Sequence, residues 1–318
     1  MSKEKILVTG ANGQIGTVLT KALQDTYGAQ YVVASDIRQP ATVGGLFELV
    51  DVLRPDQLEV VVEKHGITRI YHLAAILSAK GETHPKWAWE VNMNGLLNVF
   101  ETARKKGVRQ VFYPSSIAVF GKNAPKKNTP QQANLTPATV YGISKVAGEL
   151  WCNYYFNRYG LDIRSLRYPG VVGYQSLPGG GTTDYAVDIF HYAVKGRPYP
   201  CFLKEKTALP MIYMDDAIRA TIELMEAPAE SITVRTSYNL SGMSFTPSEL
   251  ADSIKTFFPD FKIIYQPDER QQIADSWPDS IDDSLARRDW HWQPAYDLPA
   301  MTADMIEHLV VRTQQNIY

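Results

Sequence analysis

The sequence predicts an α/β protein built on a doubly wound parallel sheet, with a smaller C-terminal substrate lobe. Three observations carry this reading. Short apolar runs alternate with segments of helical period through the first half, a glycine-rich turn follows the first run, and the alternation fades beyond about residue 170. Alternating strand and helix implies right-handed βαβ units, which place helices on both faces of a parallel sheet.

Residues 5–9 are nearly all apolar, as a strand covered on both faces requires. Ile15, Val18, Leu19, Ala22 and Leu23 then recur at helical spacing. Residues 31–36 read as a second strand ending in an acid, and 55–65 as a helix through Leu58, Val61 and Val62. A strand over 69–73, one long helix over 87–105 and a strand over 110–113 continue the series; a long helix over 140–159 and a strand over 163–168 complete it. A Gly-rich loop at 178–184 opens the less regular part. A strand at 212–216 runs into a helix at 217–225, a polar and aromatic stretch surrounds 275–278, and a last amphipathic helix carries Met301, Met305, Ile306 and Leu309. The expected division is a nucleotide-binding domain with the catalytic residues over 1–172 and a mainly substrate-binding lobe over 173–318, some of whose segments return to the first.

Composition narrows the function classes. The 318 residues are 45% hydrophobic and 21% charged, an ordinary globular balance with ample core. The net charge is −2 without a basic stripe, so neither nucleic acid nor an anionic membrane is the expected partner. Two cysteines, Cys152 and Cys201, are too few for a disulfide framework or a cysteine zinc site, and the six histidines form no H-E-x-x-H cluster, so no metal is expected. Residues 1–5 lead only into a short apolar strand, which is no secretory h-region, and no run approaches the ~20 apolar residues of a membrane span. A reduced, cytoplasmic compartment is the expectation.

Gly10-Ala11-Asn12-Gly13-Gln14-Ile15-Gly16 links the first strand to the first helix with G-x-x-G-x-x-G spacing. Such a turn lets bare backbone approach a pyrophosphate, and the helix N-terminus offers N–H groups and a positive dipole end to the anion. That makes the sheet Rossmann-type and the cofactor a dinucleotide. Asp36 ends the second strand, where an acid accepts hydrogen bonds from ribose hydroxyls and repels a 2′-phosphate, favouring NAD over NADP. Ile37 and Arg38 follow it; Arg38 is the opposing signal, since an arginine there can receive a 2′-phosphate.

Tyr141 and Lys145 stand four apart on the helix over 140–159, on one face a turn apart. A free tyrosine ionises near pH ~10, and a neighbouring ammonium is expected to lower that value and yield a general base. Exposed Tyr–Lys pairs are common on helices, so the context decides. Pro114-Ser115-Ser116 follows a strand, at the end where a site belongs, and a hydroxyl there can hold a substrate hydroxyl beside Tyr141.

Thr9 with the glycine turn, Asp36, Leu73-Ala74-Ala75, the Ser pair and Tyr141/Lys145, in that order, resemble the extended short-chain dehydrogenase/reductase superfamily over essentially the whole chain. Residues 114–121, 167–173, 178–186 and 273–278 look like the short-chain-type L-threonine 3-dehydrogenases within it. The resemblance implies Tyr141 as base, Lys145 as its partner and Ser116, rather than Ser115, as the hydroxyl residue. It places Asp51 and Val52 at the adenine, Leu73, Ala74, Ala75 and Asn92 around the pyrophosphate and nicotinamide ribose, and Tyr168 through Val171 beside the nicotinamide. Ser78, Thr182, Thr183 and Asp184 fall where a threonine amine and carboxylate would be held. The implied reaction oxidises the L-threonine β-hydroxyl to 2-amino-3-oxobutyrate, with hydride passing to NAD⁺.

The rival is a sugar-nucleotide epimerase or dehydratase, which shares the cofactor motifs and the Tyr–Lys pair but needs cations for a diphosphate. Arg235, Arg270, Arg287 and Arg288 are available in no evident pattern. A non-catalytic NAD sensor on the same fold is disfavoured by the intact Ser116, Tyr141 and Lys145. A homodimer is expected, paired through helices 87–105 and 140–159, with Trp151 and Tyr155 on the outward face.

Overall fold

The protein's structure, a computed structural model, describes residues 4–40 and 44–314; the first three residues of the N-terminal segment lie outside it. The strands are β1 (Ile6–Thr9), β2 (Val32–Asp36), β3 (Leu46–Leu49), β4 (Arg69–His72), β5 (Gln110–Ser116), β6 (Asp162–Tyr168), β7 (Gly170–Val172), β8 (Tyr199–Cys201), β9 (Leu209–Tyr213), β10 (Tyr238–Asn239), β11 (Met243–Phe245) and β12 (Ile263–Tyr265). The helices are α1 (Gln14–Tyr27), α2 (Pro55–His65), α3 (Ser78–Thr83), α4 (Pro85–Trp89), α5 (Gly95–Lys106), α6 (Val140–Tyr159), α7 (Tyr185–Ala193), α8 (Met214–Glu226), α9 (Pro247–Lys255), α10 (Arg270–Ser276), α11 (Ser284–Trp290) and α12 (Leu298–Gln314).

The main sheet has seven strands in the order β10-β6-β5-β4-β1-β2-β3. From β3 through β2, β1 and β4 to β5 every pairing is parallel. Chain order reverses between β1 and β4, so a crevice opens at the carboxyl ends of those two strands. Their register sets Thr9 opposite His72. The Thr9 hydroxyl and His72 Nδ1 share a buried hydrogen bond of 2.8 Å. Ile6, Leu7, Val8, Ile70 and Tyr71 are fully buried, as continuous apolar strands covered on both faces must be.

Two compact units result. The first holds residues up to 116, 139–167 and 218–238; the second holds 117–138, 168–217 and 239 onward. The division is interleaved: 218–238, from the C-terminal half, belong to the first unit, and 117–138 belong to the second. Arg164 Nη1 donates to the carbonyls of Leu224 (2.6 Å) and Ala227 (2.7 Å), and Arg235 pairs with Asp162 at 2.7 Å, which fastens 218–238 to the first unit. Lys126 Nζ donates to the Asp275 and Trp277 carbonyls at 2.6 and 2.5 Å, which draws 117–138 into the second. The second unit contains a three-stranded sheet, β11-β9-β7, and the parallel pair β12–β8.

Two expectations are corrected. The helix over 87–105 is α4 and α5 joined through a π-helical turn, Glu90–Asn94, the kind of insertion that recurs at functional sites. Tyr155 does not point outward: it is buried against Phe100 (5.2 Å between ring centres) and donates to Glu101 at 2.6 Å, while Trp151 is partly buried against the same core. The exposed large apolar residues of α6 are Ile143, Leu150, Tyr154 and Tyr159.

Candidate active site

The glycine turn is shaped by contacts that tolerate no side chain. Gly10 has φ +73°, and a Cβ on it would sit 2.6 Å from the Ala74 nitrogen where the chain leaves β4. A Cβ on Gly16 would fall on the Gly10 carbonyl and come within 2.9 Å of the Ala11 Cα. Gly13 precedes α1, no side chain caps that helix, and its first turn carries no acid. The N–H groups of the turn through Gln14, Ile15 and Gly16 and the dipole end are thus available to an anion. Gln14 Nε2 is buried there without a hydrogen-bond partner. These residues fit a dinucleotide pyrophosphate.

Asn12 fastens the turn to the end of β2: its N–H donates to Asp36 Oδ2 at 3.1 Å and its Nδ2 to the Arg38 carbonyl at 2.7 Å. A cleft of about 520 Å³ is lined by Gly10, Gly13, Asp36, Ile37, Asp51, Val52 and Leu73-Ala74-Ala75, joined by Gln57 and Trp87. Arg38 lines a different cavity, with Lys21 and Gln39. The Asp51 carboxylate accepts the Leu53 N–H (2.9 Å), the Asp51 N–H donates to Gln57 (2.8 Å), and the Val52 carbonyl accepts Asn98 Nδ2 (3.0 Å). Asp51 therefore shapes the cleft wall through its own turn.

At the carboxyl end of β5, successive residues point to opposite faces. Ser115 faces the interior, donating to Glu149 at 2.6 Å, and Glu149 is paired with Arg167 at 2.7 Å; the two charged side chains are 1% and 4% exposed. Ser116 shares a hydrogen bond with the Tyr141 hydroxyl. Tyr141 lies in the first turn of α6, where Thr139 caps the helix by accepting the Gly142 N–H (3.0 Å) and Glu82 accepts the Val140 N–H (2.8 Å). Lys145 is buried, donates to the Pro114 carbonyl at 2.6 Å and stands 5.3 Å from the Tyr141 ring centre.

The electrostatics differ from the expectation drawn from Tyr–Lys spacing. Burial pushes the Tyr141 phenol up to about 12, opposed by the Ser116 hydrogen bond, and burial pushes Lys145 down to about 7. For Tyr141 desolvation outweighs the Ser116 hydrogen bond and favours the neutral phenol.

Asn92, on the π-helical turn, accepts the Ile76 N–H (2.7 Å) and donates to the Ile76 carbonyl (3.0 Å) and to Ser144 Oγ (3.3 Å). It pins the segment after β4 rather than presenting a free amide. Ser78 is buried at the start of α3. In the second unit Tyr168 is buried and Val171 sits in β7 opposite Ile212. Thr182 is buried, Thr183 packs where Gly170 has no side chain, and the Asp184 carboxylate accepts the N–H groups of Gly180 and Gly181 at 2.7 Å each. Asp184 is thus committed to the loop backbone, with its pKa raised by burial. Among the described residues no group of three or more His, Cys, Asp or Glu is placed to hold a metal. The sequence reading missed Glu149, although its position four residues beyond Lys145 puts it on the same helical face; it also missed Gln57, Trp87 and Tyr113.

Residues 6–241 match the NAD dependent epimerase/dehydratase family. The chain belongs to that family. Mitochondrial L-threonine 3-dehydrogenase from Bos taurus is 47% identical over 308 residues, covering 96% of this chain and 82% of the bovine one. Among solved structures, the GalE-like L-threonine dehydrogenase from Cupriavidus necator in its holo form is 56% identical with a TM-score of 0.95, covering 96% and 99% of the two chains. A monomeric L-threonine 3-dehydrogenase from a metagenome, in its apo form, is 50% identical with a TM-score of 0.94 over 96% and 99%.

Proposed function

We propose that this family member is an NAD-dependent L-threonine 3-dehydrogenase. The observation that carries the reading is the Ser116–Tyr141 hydrogen bond with Lys145 beside it, at the carboxyl edge of the sheet whose glycine turn fits a dinucleotide. Threonine dehydrogenases of high identity over nearly the whole chain support the substrate assignment. NAD⁺, when bound, accepts the hydride from threonine Cβ. Ser116 holds the β-hydroxyl against Tyr141, whose phenolate oxygen takes the hydroxyl proton as general base, leaving the neutral phenol. Lys145 supplies positive charge beside that oxygen and, fixed by the Pro114 carbonyl, is placed for the nicotinamide ribose.

The sugar-nucleotide alternative needs free cations, and the candidate arginines are engaged. Arg235 is paired with Asp162 (2.7 Å), Arg287 with Asp283 (2.7 Å), Arg288 with Asp289 (2.6 Å), and Arg270 Nε donates to Asp268 at 3.0 Å. NAD rather than NADP follows from Asp36 lining the glycine-turn cleft while Arg38 lines another cavity. A homodimer is proposed through the exposed Ile143, Leu150 and Tyr154 of α6. Cytoplasmic residence is proposed from two buried free cysteines; among the described residues, no helix is long and apolar enough to cross a membrane. Incubation with NAD⁺ and either L-threonine or UDP-galactose, following reduced-cofactor absorbance, tests the function. Signal with threonine alone is expected; its absence refutes the assignment.

A further inference from the structure

Lys145 is a buried ammonium without a carboxylate partner among the described residues. Its side chain is almost fully enclosed, and the nearest acid, Glu149, is engaged by Arg167 and Ser115. What the nitrogen meets is the Pro114 carbonyl at 2.6 Å, the Tyr141 ring centre at 5.3 Å and, nearer, the face of Tyr113, whose ring centre lies 4.7 Å away. That is well inside the ~6 Å reach of a cation–π contact, which strengthens when water is excluded. Tyr113 is itself buried, with Phe100 edge-on at 6.5 Å. The ring lies against α6 at Gly148. A Cβ there would come 2.5 Å from Tyr113 Cζ and 2.7 Å from Cε1.

We propose that Tyr113 is a positioning residue for the reaction: its ring face seats the Lys145 ammonium in its charged form, and glycine at 148 is what lets the ring lie there. The proposal rests on the reading of Lys145 as the partner of Tyr141. Burial drives the Tyr113 phenol well above its ordinary value, so it stays neutral, keeps its ring quadrupole and offers no second base. The other titratable or charged groups around Lys145 are Tyr141, Glu149 and Cys152 on α6, His72 on β4 and, through Glu149, Arg167 on β6. His72 is held neutral by burial, with its pKa lowered to about 3, and Cys152 is kept a thiol. The carbonyl and the two π faces, Tyr113 the nearer, therefore carry the direct stabilisation of the ammonium, and Glu149 acts from a distance.

The test is the ionisation of Lys145 itself, followed by NMR of ε-¹³C-lysine-labelled protein saturated with NAD⁺, the resonance assigned with Lys145→Met. Tyr113→Leu should lower the Lys145 midpoint by about one pH unit, the size expected of a desolvated cation–π contact. Tyr113→Phe, which keeps the ring, should leave it in place. Gly148→Ala should reproduce the leucine shift in the native background and add nothing in Tyr113→Leu. Pentafluorophenylalanine at 113 preserves shape while removing the negative ring face, so it decides the matter if the leucine variant folds poorly; a downward shift is again expected. The alkaline limb of the kcat profile with threonine should move down with the NMR midpoint. An unchanged midpoint in the leucine and fluorinated variants, or a phenylalanine variant shifted as far as leucine, overturns the seat. Failure of the unsubstituted enzyme to oxidise threonine would overturn the functional assignment instead, and the titration would still decide the role of Tyr113.

Discussion

Glu149→Met should destabilise the protein strongly. The carboxylate it removes is 1% exposed and accepts from Arg167 Nε (2.9 Å), Arg167 Nη2 (2.7 Å) and Ser115 Oγ (2.6 Å). Arg167, 4% exposed, would then remain charged in the interior. Removing one partner of a buried pair costs about 3–5 kcal/mol, because the surviving charge keeps its desolvation penalty. The orphaned Ser115 hydroxyl falls in the range of about 1–3 kcal/mol for a buried polar group. Even the lower sum, about 4 kcal/mol, is a large share of a typical 5–15 kcal/mol stability. Glu149→Met/Arg167→Met removes both charges and should lie within about 2 kcal/mol of the unsubstituted protein, since apolar replacement of a whole buried pair is often neutral. Urea titrations followed by tryptophan fluorescence, extrapolated linearly to water, measure all four corners of the cycle. A single-variant cost under about 1 kcal/mol, or single costs that add to give the double within about 0.5 kcal/mol, would refute the buried-pair account.

Tyr141→Phe should cut threonine turnover by ~10²–10⁴-fold while NAD⁺ affinity, measured by titration, stays nearly constant; retention of most activity would remove Tyr141 from the role of base. Asp36 should impose a preference for NAD⁺ over NADP⁺ on the order of a hundredfold or more in kcat/KM, and equal efficiencies would hand control to Arg38. His72 should make the protein acid-sensitive. Its folded pKa, about 3, lies below the ~6.5 of the unfolded chain, so the unfolded state binds the extra proton and stability falls with pH across that window. From pH 7 to pH 5 the loss is about 2 kcal/mol, and His72→Asn should lose that much less in paired urea titrations. Light scattering should give twice the chain mass, with Leu150→Glu dissociating the dimer; a single-chain mass across micromolar concentrations would count against the α6 interface.

What the sequence by itself determined is what rests on local periodicity and turn chemistry. The apolar runs of β1 and β4, the helical stripe of α1, the glycines at 10, 13 and 16 and the i,i+4 placement of Tyr141 and Lys145 all depend on residues within a turn or two of one another. Steric and hydrogen-bonding rules act at that range, so the main sheet and its nucleotide edge were legible. The one-residue choice between Ser115 and Ser116 was suggested by resemblance, but its physical basis is which face of β5 meets Glu149 from α6. Tertiary structure alone decided the proton affinities. Tyr141 is pushed up to about 12 and Lys145 down to about 7 because packing strips water from both, a cost that no spacing along a helix reveals. It likewise turned Tyr155 inward, committed Asp184 to its own loop, and laid the Tyr113 ring between Gly148 and the Lys145 ammonium. Tyr113 and Lys145 come from different elements far apart in the chain, and desolvation is a property of what surrounds a group after the chain has closed around it.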